Sequence, residues 1–141
     1  MTDGLARRVA DRLREREGTS RAFAIALDEA REGYARVAMT VTADMLNGHA
    51  YAHGGMIFLL ADTAFAYACN SRNTNTLAQQ ASIVFLAPAK EGDRLIAEAQ
   101  EQSVSGRSGV YQVKVRDRNG TEIAVFQGLS RSIGGTVVDP D

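Results

Sequence analysis

The sequence predicts an α+β domain in which a curved antiparallel sheet of five or six strands lies against one long apolar helix. Two observations lead to this fold class. Residues 54–69 carry apolar side chains at the i, i+3, i+4 spacing of a helix, and alternating apolar runs typical of strands stand on both sides of them. The chain has 141 residues, which is enough for one domain with a full core and too few for two.

The predicted central helix is apolar on nearly every side. Between Gly54 and Cys69 the only clearly polar side chains are those of Asp62, Thr63 and Tyr67. A helix with this pattern is a buried helix. A membrane span needs about 20 apolar residues and rarely carries a central carboxylate, so we set that alternative aside.

The segment before the sheet is predicted to form a short helix. An apolar stripe runs to about residue 17, and Gly18 then ends the helix. We therefore expect an N-terminal helix at residues 1–20, the main domain at 21–135 and a flexible tail at 136–141.

Turn signals separate the predicted strands. Residues 23–27 alternate apolar with small side chains, and a second extended run follows the turn at 31–33, which indicates a hairpin. Pro88 ends a long strand, and Asn119-Gly120 between two Val-rich runs is a strong hairpin signal. The later strands are predicted at 34–41, 77–87, 94–102, 110–116 and 121–132.

One sheet can cover only one side of an apolar helix. The other side would stay exposed, because a single layer does not bury both faces. We therefore expect a second copy of the chain to cover the exposed side, and hence a homodimer.

Charge and cysteine content exclude several classes of protein. The formal net charge is −1, and the 16 basic and 17 acidic residues are interspersed, so we expect no nucleic-acid surface. The single cysteine, Cys69, excludes an intrachain disulfide, fits a cytoplasmic location and should be a buried, inert thiol. The start of the chain has no apolar secretion signal, and we expect no membrane partner.

The most informative residue is Asp62, in the middle of the apolar helix. A buried carboxylate is costly unless it is hydrogen-bonded, paired or neutralised, so its presence indicates a function. His53-Gly54-Gly55 stands at the helix start, where backbone N–H groups can bind developing negative charge. Asp62 would reach a carbonyl docked at the start of its own helix or of a partner's helix, which suits acyl transfer or hydrolysis. The alternative is a structural Asp62 that caps a loop or meets an arginine.

These residues resemble the signature of the hotdog-fold thioesterases of the PaaI type, the phenylacetyl-CoA thioesterases of aromatic degradation. The similarity lies in Asn47-Gly48-His49, His53-Gly54-Gly55, residues 60–66 and Asn70, and it continues through residues 85–88, 92–93 and 106–111. It implies a hotdog fold, hydrolysis of phenylacetyl-CoA or hydroxyphenylacetyl-CoA to the free acid and CoA, and a homodimer that assembles into a homotetramer. No cofactor or metal is implied, because water is the co-substrate.

The resemblance also implies roles for individual residues. The N–H group of Gly54 or Gly55 would polarise the thioester carbonyl, and Asp62 would be the nucleophile or the base that activates water. His53 and Asn47 would orient the loop and contact the substrate.

Two further interpretations concern the ends of the substrate. By the resemblance Arg107 would meet the nucleotide end of CoA, and arginine suits phosphate, whereas the residues alone favour an exposed arginine in a strand connection. Phe58, Phe65 and Tyr51 could shape a short, flat acyl pocket that favours phenylacetyl over long-chain groups. The alternative is that these aromatic rings simply fill the core.

Other chemistries fit the sequence less well. His49 and His53 are four residues apart, and Cys69 and Asp62 could be recruited. The pair falls in a loop before the helix, however, without the Glu of HExxH or any CxxC, so a metal site is disfavoured. The sequence contains no G-x-S-x-G, no G-x-G-x-x-G and no P-loop. Two rivals to the thioesterase stay open. One is a hotdog enoyl-CoA hydratase, whose D-x-x-x-x-H pattern at a helix start is missing here, and the other is a non-catalytic acyl-CoA-binding module.

Overall fold

The computed structural model describes residues 2–140, with side chains from residue 4 onward. Residue 1 of the predicted N-terminal helix and residue 141 of the predicted tail therefore lie outside the described residues. The helices are α1 (Thr2–Arg16), the short α2 (Thr19–Ala22) and the central α3 (Gly54–Cys69), with a turn of 3-10 helix at Ala43–Met45. The helix predicted at 54–69 is thus confirmed at both ends. None of the helices within residues 2–140 has the length and apolar content to cross a membrane.

Six strands form one antiparallel sheet. The strands β1 to β6 span Ala26–Arg31, Tyr34–Thr40, Thr76–Phe85, Arg94–Ser105, Ser108–Arg116 and Glu122–Ser132. Their order across the sheet is β1-β2-β4-β5-β6-β3, so β3, which follows α3 in the chain, lies at one edge beside β6. The helix α3 contacts all six strands. The predicted α+β hotdog fold, a sheet wrapped around one long helix, is therefore confirmed.

The turn between β5 and β6 is the hairpin predicted at Asn119-Gly120. Gly120 has φ +83, a left-handed conformation that glycine adopts without steric cost. The Oδ1 atom of Asp117 accepts hydrogen bonds from the backbone N–H groups of Asn119 and Thr121, at 2.9 and 3.0 Å. A short polar turn therefore sets β5 and β6 side by side.

Several strand boundaries differ from the prediction, and three of the differences have a clear structural reason. The chain turns before the first strand, because residues 19–22 form α2 and Ala24 has φ +52, so β1 begins only at Ala26. The edge strand β3 ends at Phe85, since the next residues leave the β6 ladder. Pairing of β4 with β5 extends to Ser105, three residues beyond the predicted end.

The helix α3 has one sealed face and one open face. The sealed face is buried under the sheet and consists of Ile57, Leu60, Ala61, Ala64, Phe65 and Ala68. The opposite side, which we call the open stripe, is only half-buried and consists of Phe58, Leu59, Asp62, Ala66 and Cys69. Both sets follow from 3.6 residues per helical turn. One copy of the sheet thus leaves part of the helix uncovered, as expected.

The segment after β6 is attached to the loop after α3. Asn73 Oδ1 accepts hydrogen bonds from the backbone N–H groups of Val137 and Val138, each at 2.9 Å, and Val137 is buried. These contacts fix the start of the segment at 136–141, while its predicted flexibility stays a prediction.

Candidate functional site

Asn47 holds the loop before α3 in shape. Its Oδ1 atom accepts hydrogen bonds from the backbone N–H groups of His49, at 2.9 Å, and Tyr51, at 3.1 Å. Leu46 and Ala52 close the loop with a β-bridge. Asparagine side chains commonly stabilise turns by bonding to backbone a few residues ahead. This geometry is the one that the expected loop-orienting role of Asn47 requires.

The first turn of α3 presents one free backbone donor. His53 is the N-cap, with φ −61 and ψ 137, and its Nδ1 atom accepts a hydrogen bond from the Gly55 N–H at 2.9 Å. The N–H groups of Met56 and Ile57 donate to the His53 carbonyl at 2.9 and 3.3 Å. The Gly54 N–H has no acceptor within residues 2–140. Of the two donors predicted, Gly54 and Gly55, the structure leaves Gly54 available.

Asp62 lies on the open stripe and has no partner within residues 2–140. No cation and no hydrogen-bond donor offsets the burial of its carboxylate in the part of the chain that the structure describes, and this burial raises the pKa of Asp62 above its ordinary value. The structural alternative needed a loop N–H group or an arginine, and neither is present among these residues. An unpaired, half-buried carboxylate with a raised pKa is typical of a functional group.

Gly54 and Asp62 are far apart along their common helix. A rise of about 1.5 Å per residue separates their Cα atoms by about 12 Å along the axis. The Asp62 side chain leans toward the helix start and covers only part of this distance. Reacting atoms must approach to about 3–3.5 Å. A carbonyl bonded to the Gly54 N–H therefore lies beyond the reach of Asp62 of the same chain.

A cleft of about 400 Å³, which we call the Gly54 cleft, opens beside the start of α3. Its walls include Tyr51 of the loop, Ile57 of α3, and Phe85 and Leu86 at the end of β3. The Phe85 ring lies so close that a Cβ atom on Gly54 would be 3.0 Å from its Cζ atom. Phe85 and Leu86 belong to the resemblance at residues 85–88, but no role was predicted for them. The sequence feature that could have indicated them is a pair of apolar residues at the end of a strand whose pattern of apolar and polar residues does not bury that end in a core.

Phe65 does not line a pocket, so this part of the aromatic-pocket prediction is wrong. Its side chain is 1% exposed, and its ring packs on those of Tyr111 and Phe126 at centroid distances of 5.5 and 5.7 Å. A Cβ atom on Gly128 would lie 2.7 Å from the ring, so only glycine fits opposite it. Phe65 fills the core, whereas Tyr51 borders the Gly54 cleft.

Arg107 lies near the opposite end of α3 from Gly54. It stands in the turn between β4 and β5 and borders a cavity of about 190 Å³, the Arg107 cavity, together with Cys69, Arg72 and the hydroxyl-bearing Thr76. Arg72 is held by Glu101 at 2.6 and 3.1 Å. The Arg107 guanidinium has no acceptor among the described residues and is exposed. Guanidinium and hydroxyl groups together suit an anion such as phosphate.

Cys69 and the histidines offer no second reactive centre. Burial raises the pKa of Cys69 to about 12, and the nearby Asp62 carboxylate adds to this shift. A thiol with such a pKa forms little of the thiolate needed for attack. His49 and His53 do not join a third metal-ligating side chain anywhere in the described chain.

The chain as a whole is similar to known thioesterases. A family model for the thioesterase superfamily matches residues 49–124. The acyl-coenzyme A thioesterase PaaI of Escherichia coli (strain K12) is 44% identical over 128 residues, which are 91% of either chain. The solved structure of the E. coli PaaI protein, from the phenylacetic acid degradation operon, has a TM-score of 0.94 at 42% identity and covers 96% of this chain and 99% of that one.

Two further solved structures are similar at lower identity. A mutant of the phenylacetic acid degradation protein PaaI from Thermus thermophilus has a TM-score of 0.80 at 33% identity and covers 83% of this chain and 100% of that one. A Streptococcus mutans protein bound to acetyl-CoA has a TM-score of 0.77 at 25% identity, and covers 79% of this chain and 90% of that one.

Proposed function

This chain belongs to the thioesterase superfamily and is an acyl-CoA thioester hydrolase, and we propose that its substrates are phenylacetyl-CoA and hydroxyphenylacetyl-CoA. Water is the second substrate, and the products are the free carboxylic acid and CoA. The observation that carries the proposal is the Asp62 carboxylate, which is half-buried, unpaired within residues 2–140 and raised in pKa. Such a carboxylate is suited to nucleophilic attack or to proton transfer, and it makes no stabilising hydrogen bond or ion pair within residues 2–140.

In the proposed reaction the thioester carbonyl binds at the start of α3. The Gly54 N–H donates to the carbonyl oxygen and stabilises the negative charge that develops there. His53 keeps the helix start in place through its bond to Gly55, and Asn47 keeps the preceding loop in place.

Asp62 can complete hydrolysis by either of two routes. As a general base, it takes a proton from water while the oxygen of that water attacks the carbonyl carbon, and it returns the proton to the departing CoA thiolate. As a nucleophile, it forms an anhydride as the C–S bond breaks, and water then cleaves the anhydride and restores the carboxylate.

The two groups that act on one thioester come from different copies of the chain. The distance of about 12 Å between Gly54 and Asp62 along α3 excludes a shared carbonyl within one copy. A homodimer whose α3 helices face each other through their open stripes would bring Asp62 of one copy to the helix start of the other. This arrangement also covers the half-buried side of the helix.

The edge strand β3 supports the homodimer. Leu77, Val84 and Phe85 on this strand are 58%, 60% and 50% exposed. Long apolar edges of this kind tend to pair with another chain. By family resemblance we extend the proposal to a homotetramer, a pair of such dimers. Sedimentation at low micromolar concentration should therefore show no monomer, and a folded, active monomer would refute the shared site.

Arg107 is proposed to bind a phosphate of CoA. The support is an exposed guanidinium without an acceptor among the described residues, beside a cavity that carries hydroxyl groups. A cytoplasmic location is part of the same proposal, and the lone, half-buried thiol of Cys69 is compatible with a reducing compartment.

Release of free thiol from several acyl-CoAs, followed with a thiol reagent, tests the proposed function. Turnover is expected with phenylacetyl-CoA and its ring-hydroxylated forms. A binding module would bind these esters without releasing thiol, and a hydratase would consume enoyl-CoA without releasing it. The unpaired Asp62 favours turnover, since a site made only for binding gains nothing from a destabilised carboxylate.

Comparison of kcat/KM for phenylacetyl-CoA, acetyl-CoA and palmitoyl-CoA tests the proposed acyl group. Phenylacetyl-CoA is expected to be the best of the three. If palmitoyl-CoA were hydrolysed best, the acyl preference would be wrong, although the thioesterase function would stand.

A further inference from the structure

A third cavity, of about 360 Å³, lies between α1 and the C-terminal half of α3. We call it the α1 cavity, and we propose that it holds the acyl group of the substrate. This inference rests on the thioesterase function given above. In this proposal α1 supplies the part of the site that selects the acyl group, although α1 lies outside both the loop before α3 and α3 itself.

The α1 cavity begins one helical turn from Asp62. Ala66 belongs both to its wall and to the open stripe. It follows Asp62 by four residues, so the two side chains lie on the same side of α3, about 6 Å apart along the axis. A thioester carbonyl held beside Asp62 would therefore have its acyl group at the mouth of this cavity.

The other three cavities are less well placed for the acyl group. One, of about 340 Å³, is lined only by residues of β3 to β6 and does not reach α3. The Gly54 cleft reaches α3 at its first turn, at Gly54 and the buried Ile57, and Ile57 lies about 140° around the helix from Asp62. The Arg107 cavity reaches α3 at Cys69, two turns beyond Asp62, and is smaller, at about 190 Å³. Its guanidinium and hydroxyl groups suit the phosphates of CoA better than a hydrocarbon.

The walls of the α1 cavity suit a compact ring. Leu13, Ala66 and Ile133 supply apolar surface, and Arg16 and Glu17 form a polar edge. Pockets for whole drug-sized ligands span about 300–1,000 Å³, so a cavity of about 360 Å³ suits one small group and excludes a long chain. The chemical class that fits is an arylacetyl group, with its ring against the apolar walls.

Hydrogen bonds from two asparagines hold the far wall of the cavity. Asn70 donates to the Thr76 carbonyl at 3.0 Å and accepts from the Thr76 N–H at 2.9 Å, which fixes the start of β3 to the end of α3. The Asn75 backbone carbonyl accepts from the Ile133 N–H at 2.8 Å, and its side chain donates to the Gly134 carbonyl at 3.3 Å. A pocket with fixed walls can discriminate between acyl groups by shape.

Part of the lining of the α1 cavity lies outside the region that the superfamily model matches. That model covers residues 49–124, which include Gly54 and Asp62 but neither α1 nor Ile133. The proposed division is therefore that the matched region supplies the hydrolytic groups, while α1 and the segment after β6 select the acyl group.

Two tryptophan substitutions on opposite walls test the proposal. Leu13→Trp and Ile133→Trp should each fill the cavity, and Ile133 is 60% exposed, so its replacement should not disturb folding. For each variant the ratio of kcat/KM for phenylacetyl-CoA to that for acetyl-CoA should fall at least about tenfold, because even one methylene misfit is worth about tenfold or more. Arg12→Trp, on the exposed side of the same helix, is the matched control and should leave the ratio unchanged.

Binding to the Asp62→Asn background separates this proposal from the proposed function. Calorimetry should show that Ile133→Trp weakens phenylacetyl-CoA at least about tenfold relative to free CoA. Equal weakening of both ligands would place CoA itself in the cavity and overturn the proposal. The proposal would also be overturned if the ratio of the two kcat/KM values were unchanged in both tryptophan variants. A lowered kcat/KM ratio for Leu86→Trp, in the Gly54 cleft, would overturn it as well. The binding results do not depend on turnover, whereas a wild-type chain that releases no thiol would refute the thioesterase function alone.

Discussion

The two faces of α3 have the same helical geometry but differ in packing and in chemistry. On the sealed face, Phe65 and its neighbours pack under the sheet and are apolar throughout. On the open stripe, Asp62 is surrounded by half-buried apolar residues and has no partner within residues 2–140. One helix can therefore be the core of the fold and line a candidate site at once, because packing is complete on one side only.

The comparison also separates stability from chemistry. Phe65 on the sealed face should affect activity only by changing the amount of folded protein, since its ring contacts are internal. Asp62 is expected to support activity and to lower stability, because an unpaired carboxylate is a reactive group and its burial opposes folding.

Asp62→Asn should remove the chemistry of the open stripe and keep the fold. We expect kcat to fall by about two to four orders of magnitude, the usual effect of losing a positioned base or nucleophile, with little change in substrate affinity. Thiol release and circular dichroism check the two halves of this prediction. Asp44→Asn, which removes an exposed carboxylate near the loop, is the matched control. Turnover near the wild-type level in a folded Asp62→Asn oligomer would remove Asp62 from the mechanism.

Phe65→Ala should have the opposite signature on the sealed face. Loss of a buried phenyl ring costs about 3–5 kcal/mol in the free energy of unfolding, and the cavity it leaves would lie among Tyr111, Phe126 and Gly128. Urea denaturation measures this loss. The kcat per folded molecule should stay within a few-fold of wild type. A large drop in kcat without a loss of stability would show that Phe65 contacts the substrate after all.

Gly54→Pro tests the one free N–H group at the start of α3. Proline is tolerated at the first position of a helix, and His53, with φ −61 and ψ 137, already has the extended conformation that proline requires before it. Removal of the donor should lower kcat by about 10²–10³-fold.

Gly54→Ala is the matched control for this substitution. Both replacements place a Cβ atom 3.0 Å from the Phe85 ring, but only proline removes the N–H group. The alanine variant should therefore retain most of the activity. Equal kcat values for the two variants would mean that the Gly54 N–H does not bind the carbonyl.

Much of the fold was predictable because it depends on local patterns. The limits of α3 follow from apolar spacing and from the glycines at its start, and the β5–β6 turn follows from Asn119-Gly120. The position of α2 was missed, since Ala24 with φ +52 carries no glycine-like signal. The exposure of β3 was also missed, because its place at the sheet edge depends on strand order, which alternation does not encode.

The site was predictable in its residue types and less so in its contacts. Asp62 and the helix start could be proposed from the sequence because a carboxylate in an apolar helix and paired glycines are unusual locally. The bond from Gly55 to His53 depends on one rotamer, and the α1 cavity joins Leu13, Ala66 and Ile133 across most of the chain. Contacts of this second kind arise from sheet curvature and register, which no local pattern specifies.

Arg107→Glu should affect the far end of the substrate and leave the open stripe untouched. Reversal of this charge should raise KM for phenylacetyl-CoA about tenfold, by removing one phosphate contact and adding repulsion. Hydrolysis of a truncated N-acetylcysteamine thioester should be nearly unchanged, because this substrate lacks the phosphates. Arg118→Glu, an exposed arginine in the β5–β6 turn, controls for net charge. Equal losses with both substrates would make Arg107 structural.

The smallest expected effect is a pH-dependent gain of stability in Asp62→Asn. Burial raises the pKa of Asp62 in the folded chain above its value in the unfolded chain, so between these two values the folded state holds more protons. Stability then falls as pH rises through this window. The favourable contribution of the neutral carboxyl is complete below the unfolded pKa and is lost above the folded one.

At neutral pH, therefore, the ionised Asp62 opposes folding, and the neutral amide of Asp62→Asn should relieve this. The variant should melt at a higher temperature than wild type at pH 7, and the difference should shrink as the pH is lowered through the acidic range in which Asp62 takes up its proton. Thermal melts at one fixed protein concentration measure it, because the midpoint of an oligomer depends on concentration. Together with the loss of turnover, a gain of stability would show that the open stripe exchanges stability for reactivity. A variant less stable than wild type at pH 7 would instead mean that Asp62 has a partner in the assembled protein and that its charge supports the fold.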